Sequence, residues 1–268
     1  MSTTKFADLI GGMTAAPEQS LTFSEDWSQG RAIYGGLVGA VLYQAMRGQV
    51  PAERDLRAMT VAFVGPVAPE TATVTSTVLR QGKSVTQMEA RIIQHDQVCA
   101  TATASFGGGR DSDIVIPGTA RPEAPPPDQG LQLPQIPGMT PVFLQHYDLV
   151  WTQGGVPFSN TPQPDFAGWC RYRDPVGQGD AVLIGLLDVW PPSVLPMLNR
   201  PAPASSMTWS FDLLNPPGDA GAGDDWWYYD VHTQGARDGF AQADARLWRP
   251  DGQLAAVSRQ SVVVFDKR

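Results

Sequence analysis

Cysteine, histidine, charge and long apolar runs are all scarce in this sequence. The two cysteines, Cys99 and Cys170, have no partner close in sequence. That rules out a disulfide scaffold, a zinc knuckle or a paired redox motif, and it fits a reducing, cytoplasmic setting. The three histidines, His95, His146 and His232, are scattered without metal-ligand spacing. There is no Gly-x-Ser-x-Gly elbow, which argues against a serine hydrolase of that type. No phosphate-binding loop appears, and nothing in the sequence calls for a cofactor. Nineteen Lys and Arg stand against 27 Asp and Glu, a net charge of −8. Nucleic-acid binding needs a basic face, so it is not expected. The stretch Ala32–Met46 is shorter than the roughly 20 residues that span a bilayer, and it contains Gln44. The first residues lack the basic start and apolar run of a secretory leader. We therefore expect no membrane span.

What is present is a chain that can bury a large core: 268 residues, 42% of them hydrophobic. Its most telling stretch is Ala181–Pro192, Ala-Val-Leu-Ile-Gly-Leu-Leu-Asp-Val-Trp-Pro-Pro. Gly179-Asp180 is a plausible cap, and Pro191-Pro192 stop the helix. A helix apolar on every side is buried. Asp188, near its end, is then held where ionisation is costly. A lone Asp more often caps a turn or pairs with an arginine, so the surrounding pattern has to decide its role.

Residues 1–22 read as a capping segment with one short helix at Lys5–Met13, and Phe23–Trp27 as a short strand. A helix is expected over Arg31–Met46, with Gly35-Gly36 near its start. Those glycines would either expose backbone N–H groups to a ligand or let the helix pack closely on a sheet. Strands are expected at Ala58–Val64, Ala72–Leu79, Val85–Gln94 and Val98–Phe106. Residues 108–145 have the Pro/Gly composition of a linker. It divides the chain into an N-terminal unit (1–107) and a C-terminal unit (146–268). The order then recurs: a strand at Phe166–Asp174, the Ala181–Trp190 helix, and strands at Ser205–Leu214, Trp226–Val231, Phe240–Trp248 and Leu254–Phe265. Pro216-Pro217 end the third of these elements, and Gly218–Asp225 reads as a loop.

The halves also match in detail. Met59-Thr-x-x-Phe63 parallels Met207-Thr-x-x-Phe211, and Glu89-Ala-Arg parallels Asp244-Ala-Arg. Gln81-Gly82 parallels Gln234-Gly235, and His95-Asp-Gln-Val parallels Asp251-Gly-Gln-Leu. This is an internal duplication. Helices followed by runs of strands give an α+β class. The simplest geometry is two antiparallel sheets, each wrapped around a long buried helix.

That arrangement resembles the double-hotdog acyl-CoA thioesterases of the thioesterase II type. The resemblance rests on Arg31-Ala-Ile-Tyr-Gly-Gly, Phe63-Val-Gly-Pro, Arg80-Gln-Gly-Lys-Ser, Leu187-Asp-Val-Trp, Ser206-Met-Thr-Trp-Ser-Phe and Arg259-Gln-Ser. It implies that Asp188, Ser206 and Gln260 bind and activate a water, with Thr208 as the alternative hydroxyl. It further implies an oxyanion and substrate region at Tyr34, Gly35 and Gly36. Thr208-Trp209 stand where that family often carries an Asp-His pair. The implied substrate is a fatty or related acyl-CoA, and the implied assembly a homo-oligomer. Coenzyme A phosphates would need local cations, with Arg31, Arg80, Lys83, Arg237 and Arg259 as candidates. A non-catalytic acyl-thioester binding protein on the same scaffold is the alternative reading. A hotdog enoyl-CoA hydratase has less support, because no Asp and His stand at that spacing.

Overall fold

The computed structural model describes residues 3–214 and 222–267. In chain order the N-terminal half holds α1 (Phe6–Gly11), β1 (Glu18–Thr22), β2 (Ser28–Gln29), β3 (Ala32–Ile33), α2 (Gly35–Arg47), β4 (Asp55–Phe63), β5 (Thr71–Gln81), β6 (Val85–Gln94) and β7 (Gln97–Gly107). The remainder holds β8 (Leu131–Gln132), β9 (Tyr147–Gly154), β10 (Phe166–Tyr172), α3 (Asp180–Leu187), β11 (Ala204–Leu213), β12 (Trp227–Arg237), β13 (Phe240–Trp248) and β14 (Leu254–Val264).

The strands form one continuous antiparallel sheet, not two. Its order is β1-β5-β6-β7-β4-β11-β14-β13-β12-β10-β9-β8. The halves join where β4 pairs with β11, from Thr208 opposite Ala62 to Asp212 opposite Ala58. Had the halves stayed separate, each would present a long open strand edge, and pairing β4 with β11 removes both. The small β2–β3 hairpin stands apart.

Helices α2 and α3 pack on each other, and α2 lies against β5, β6 and β7. The strand alternation explains which sheet face meets them. In β6, Thr86, Met88, Ala90 and Ile92 are buried and their neighbours more exposed, as a period of two requires. Every residue from Ala181 to Leu187 is buried. Leu183, Ile184, Leu186 and Leu187 each contribute about 1.5–3 kcal/mol by leaving water. This helix is shorter than expected, with 8 residues.

Other expectations shift for local reasons. Phe23–Trp27 is not a strand: Glu25–Trp27 forms a 3-10 turn that buries Trp27, and β1 lies just before it. Gly30, at a φ of +66°, turns the β2–β3 hairpin, so α2 begins at Gly35 and not at Arg31. Strand β9 had no counterpart in the sequence reading. Pro216-Pro217 and the loop residues Gly218–Gly221 lie outside the described residues.

The segment 108–145 acts as a strap. The Trp248 indole N–H donates to Thr119 O at 2.8 Å, and that of Trp169 to Pro125 O at 2.8 Å. The Arg121 guanidinium sits 4.7 Å over the Trp169 ring. Strand β8 pairs with β9 at the sheet edge. Trp169, Tyr228, Trp248 and Leu254 thereby form a second buried cluster, distinct from the one around the helices.

Candidate active site

Helix α3 stops at Asp188, which takes φ −110° and ψ 8° as its C-cap, and Pro191-Pro192 prevent its resumption. The Asp188 side chain meets the first turn of α2, where the Gly36 N–H donates to it. The free N–H groups and positive end of that helix favour a carboxylate. Glycine is required here for space. A Cβ on Gly35 would stand 2.6 Å from Asp188 Oδ2 and 3.1 Å from the Phe63 ring.

From the sheet side, Gln260 on β14 reaches the same carboxylate. Its Nε2 donates to Asp188 Oδ1 at 2.9 Å and to Ser206 Oγ on β11 at 3.0 Å. An amide nitrogen carries two hydrogens, so both are in use. The Gln260 carbonyl oxygen and the Ser206 hydroxyl proton remain for another group. Burial pushes the Asp188 carboxyl up to about 7, while the Gln260 and Gly36 donors pull it back. Such a group accepts a proton near neutral pH. The enclosed space beside it, walled by Trp190, Trp209 and Tyr229, measures about 20 Å³, room for about one water molecule. A wider open groove of about 450 Å³ crosses β5 and β6; its Glu89 and Arg91 are already paired at 2.6 Å.

Asp188, Ser206 and Gln260 thus come together. Thr208 does not join them. A bulge at Met207 sets Ser206 opposite Val262 but Thr208 opposite Ser261. Adjacent strand residues face opposite ways, so Thr208 turns to the outer face, where it is exposed. Gly36 is not an open oxyanion donor, because its N–H is given to Asp188. Tyr34 is fully buried. Its hydroxyl donates to Gly185 O and its ring stacks on Phe143 at 4.0 Å, so it ties α2 to α3. Arg80 and Lys83 are exposed at the β5–β6 turn. That turn aligns with the Leu56 end of β4, whereas Gly35 meets the Phe63 end. Arg259 adjoins Gln260 and therefore faces outward, 3.8 Å from Asp244. Arg237 pairs with Asp238 at 3.3 Å, and Arg31 is exposed at the turn before α2.

The sequence reading missed the pocket walls. Tyr229 was recognised as a strand aromatic, but its inward direction follows from the β12 register. Among the described residues, no cluster of His, Cys, Asp or Glu is placed to hold a metal ion. No described helix is long and apolar enough to cross a membrane.

The duplication predicts a second such site at the other end of the helix pair. Bulges mark the equivalent positions: Arg57 in β4 matches Met207 in β11, and Leu79 in β5 matches Gln234 in β12. The Met-Thr-x-x-Phe and Gln-Gly matches are therefore two residues out of register, while Glu89 does match Asp244. On this alignment Ser206 corresponds to Leu56 and Gln260 to Ala104, both buried. At that end Asp180 accepts from the Tyr43 hydroxyl at 3.0 Å and from the Leu56 N–H. Leu56 and Ala104 offer no hydroxyl or amide side chain there.

Comparison with known proteins gives a consistent picture. A family model described as the acyl-CoA thioesterase N-terminal domain matches residues 23–107, and its C-terminal counterpart matches 121–264. Among solved structures, a conserved protein of unknown function with a hot dog fold from Alicyclobacillus acidocaldarius superposes with a TM-score of 0.87 at 22% identity. It covers 98% of this chain and 99% of its own. An acyl-CoA thioesterase II from Mycobacterium marinum has a TM-score of 0.73 at 19% identity, covering 93% of each chain. The tesB protein of Mycobacterium avium subs paratuberculosis has a TM-score of 0.72 at 16% identity, covering 92% of this chain and 93% of its own. No curated protein matches by sequence.

Proposed function

Because this chain belongs to the acyl-CoA thioesterase family, we propose that it hydrolyses an acyl-CoA to the free acid and coenzyme A, with Asp188 as general base. One observation carries this reading: a carboxyl raised to about 7 accepts the amide of Gln260, which at the same time holds Ser206 Oγ. A water bound there gives a proton to Asp188 as its oxygen attacks the thioester carbonyl. The Ser206 hydroxyl and the Gln260 carbonyl oxygen orient that water. When the tetrahedral intermediate collapses, the C–S bond breaks and the protonated Asp188 returns its proton to the departing thiolate. Helix α2 contributes indirectly, since its first turn holds the carboxylate in place. The further expectations of a cytoplasmic homo-oligomer remain part of this proposal.

The test is a panel of acyl-CoAs with a thiol reagent that reports released coenzyme A. Wild-type protein turns over at least one of them. Asp188→Asn lowers kcat by about two to four orders of magnitude, the range for loss of a general base, with KM little changed. Wild-type turnover in a correctly folded Asp188→Asn protein would make Asp188 a helix cap and end the proposal. Binding of acyl-CoA without any turnover by the wild type would favour the non-catalytic alternative.

A further inference from the structure

Around Asp188 and the pocket beside it, hydroxyl groups stand in two different states. Ser193 Oγ is paired with Thr233 Oγ1 at 2.7 Å, and Ser206 Oγ accepts from Gln260. Tyr229 and Ser258 also line this space, and neither hydroxyl has a partner among the described residues. Tyr229 is only 7% exposed, and its ring is fixed by stacking on Trp190 at 5.4 Å and 10°. Its hydroxyl therefore cannot swing out to water. Ser258 lies two residues before Gln260 on β14, so the two share a face, about 6–7 Å apart along the strand. Folded proteins rarely leave a buried hydroxyl such as that of Tyr229 unpaired, because it forgoes hydrogen bonds it had in water; Ser258 is half-buried. Here both line the space beside the carboxylate.

We propose that the acyl group bound beside Asp188 carries a neutral oxygen, a hydroxyl or an oxo group, a few carbons from the thioester carbonyl, which enters this space and which Tyr229 and Ser258 hydrogen-bond. The inference rests on the thioesterase reading and adds the substrate class to it. Both residues can donate and accept, which suits either oxygen. Burial pushes the Tyr229 hydroxyl up and the charge of nearby Asp188 adds to it, so a carboxylate tail at Tyr229 would meet a like charge and is disfavoured. Space does not select the chain length: the cavity is about 20 Å³, room for one oxygen-sized group, and its walls include Trp190 and Trp209, which are packed into the core. Sites built to hydrogen-bond a substrate hydroxyl discriminate strongly against analogues that lack it.

The experiment compares kcat/KM for butanoyl-, 3-hydroxybutanoyl-, 3-oxobutanoyl- and succinyl-CoA. The 3-hydroxy or 3-oxo ester is expected to exceed butanoyl-CoA at least about tenfold, with succinyl-CoA poorest. Tyr229→Phe and Ser258→Ala should each bring the oxygenated-to-butanoyl ratio down several-fold, and the double variant toward one. Equal rates for butanoyl and its oxygenated analogues overturn the proposal, as do variants that slow all esters in parallel. Binding is read separately in Asp188→Asn, from tryptophan fluorescence on adding unreacted 3-hydroxybutanoyl- or butanoyl-CoA. Preferential binding of the oxygenated ester without turnover by the wild type supports the pocket and overturns the hydrolase reading. Turnover without any preference does the reverse. No binding and no turnover overturns both.

Discussion

Replacing Asp188 by Asn should give a protein that gains stability on the wild type as pH rises from about 4 to about 7. Its carboxyl is pushed up to about 7 from an ordinary 3.8, with burial as the largest cause. The folded chain therefore holds this proton more tightly than the unfolded chain does. The sign follows directly. Below about pH 4 both states are protonated and the group is neutral in its effect. Between about 4 and 7 the unfolded chain releases the proton first, so stability falls as pH rises. Above 7 the penalty is constant. Three pKa units correspond to about 4 kcal/mol at most. Between pH 5 and pH 8 linkage gives about 2–3 kcal/mol.

Asparagine keeps the shape and never ionises. Its single acceptor oxygen replaces two, so one donor, from Gly36 or Gln260, loses a partner at a cost of about 1 kcal/mol. That cost does not depend on pH. The informative quantity is thus a double difference: urea unfolding of wild type and Asp188→Asn at pH 5 and at pH 8. The variant should gain about 2–3 kcal/mol on the wild type between the two. Other titrating groups are common to both proteins and cancel. In parallel, wild-type kcat/KM should rise to a plateau with an apparent pKa near 7. A double difference close to zero would mean that the carboxyl titrates as an ordinary exposed acid. The argument for Asp188 as a base at neutral pH would then fail.

Gly35→Ala would place a Cβ 2.6 Å from Asp188 Oδ2; displacing the carboxylate by that contact should lower kcat about tenfold or more, read in the same thiol assay. Ser206→Ala and Gln260→Ala should each cost less than Asp188→Asn, and a double variant with Asp188→Asn should be no worse than Asp188→Asn alone, because all three act on one water. Thr208→Val, on the outer face, should leave kcat within about twofold of wild type; a hundredfold loss there would reassign the hydroxyl.

Much of this was legible because apolar pattern and turn chemistry act locally. The limits of β6 and β13 follow from the sequence, as does the turn at His95-Asp96, where both residues take positive φ. The union of Asp188, Ser206 and Gln260 was legible through family resemblance, not through spacing. What stayed hidden depends on non-local register. Nothing in Ser206-Met-Thr announces a bulge at Met207, yet that one extra residue decides which hydroxyl faces Asp188. Tyr34 reads as a pocket residue next to two glycines. Only the packing of α2 on α3 shows its hydroxyl spent on Gly185. The proline-rich segment reads as a connector, but composition does not say that it lies against Trp169 and Trp248.

The two ends of the helix pair show how a duplicated scaffold separates chemistry from packing. At one end the sheet offers Ser206 and Gln260 to a carboxylate seated on the α2 terminus. At the other, the equivalent positions hold Leu56 and Ala104, at 0% and 2% exposure. A buried raised carboxyl destabilises its own half, and unpaired pocket hydroxyls add to that cost. The opposite end carries less of that burden. Asp180 there is paired with Tyr43 at 3.0 Å, and leucine fills the place of a serine. Because β4 and β11 pair directly in one sheet, the half that packs well is continuous with the half that bears the strained carboxylate. Functional sites are often destabilised relative to their surroundings. In this fold that burden falls at one end of a symmetric frame, and the other end is free to be core.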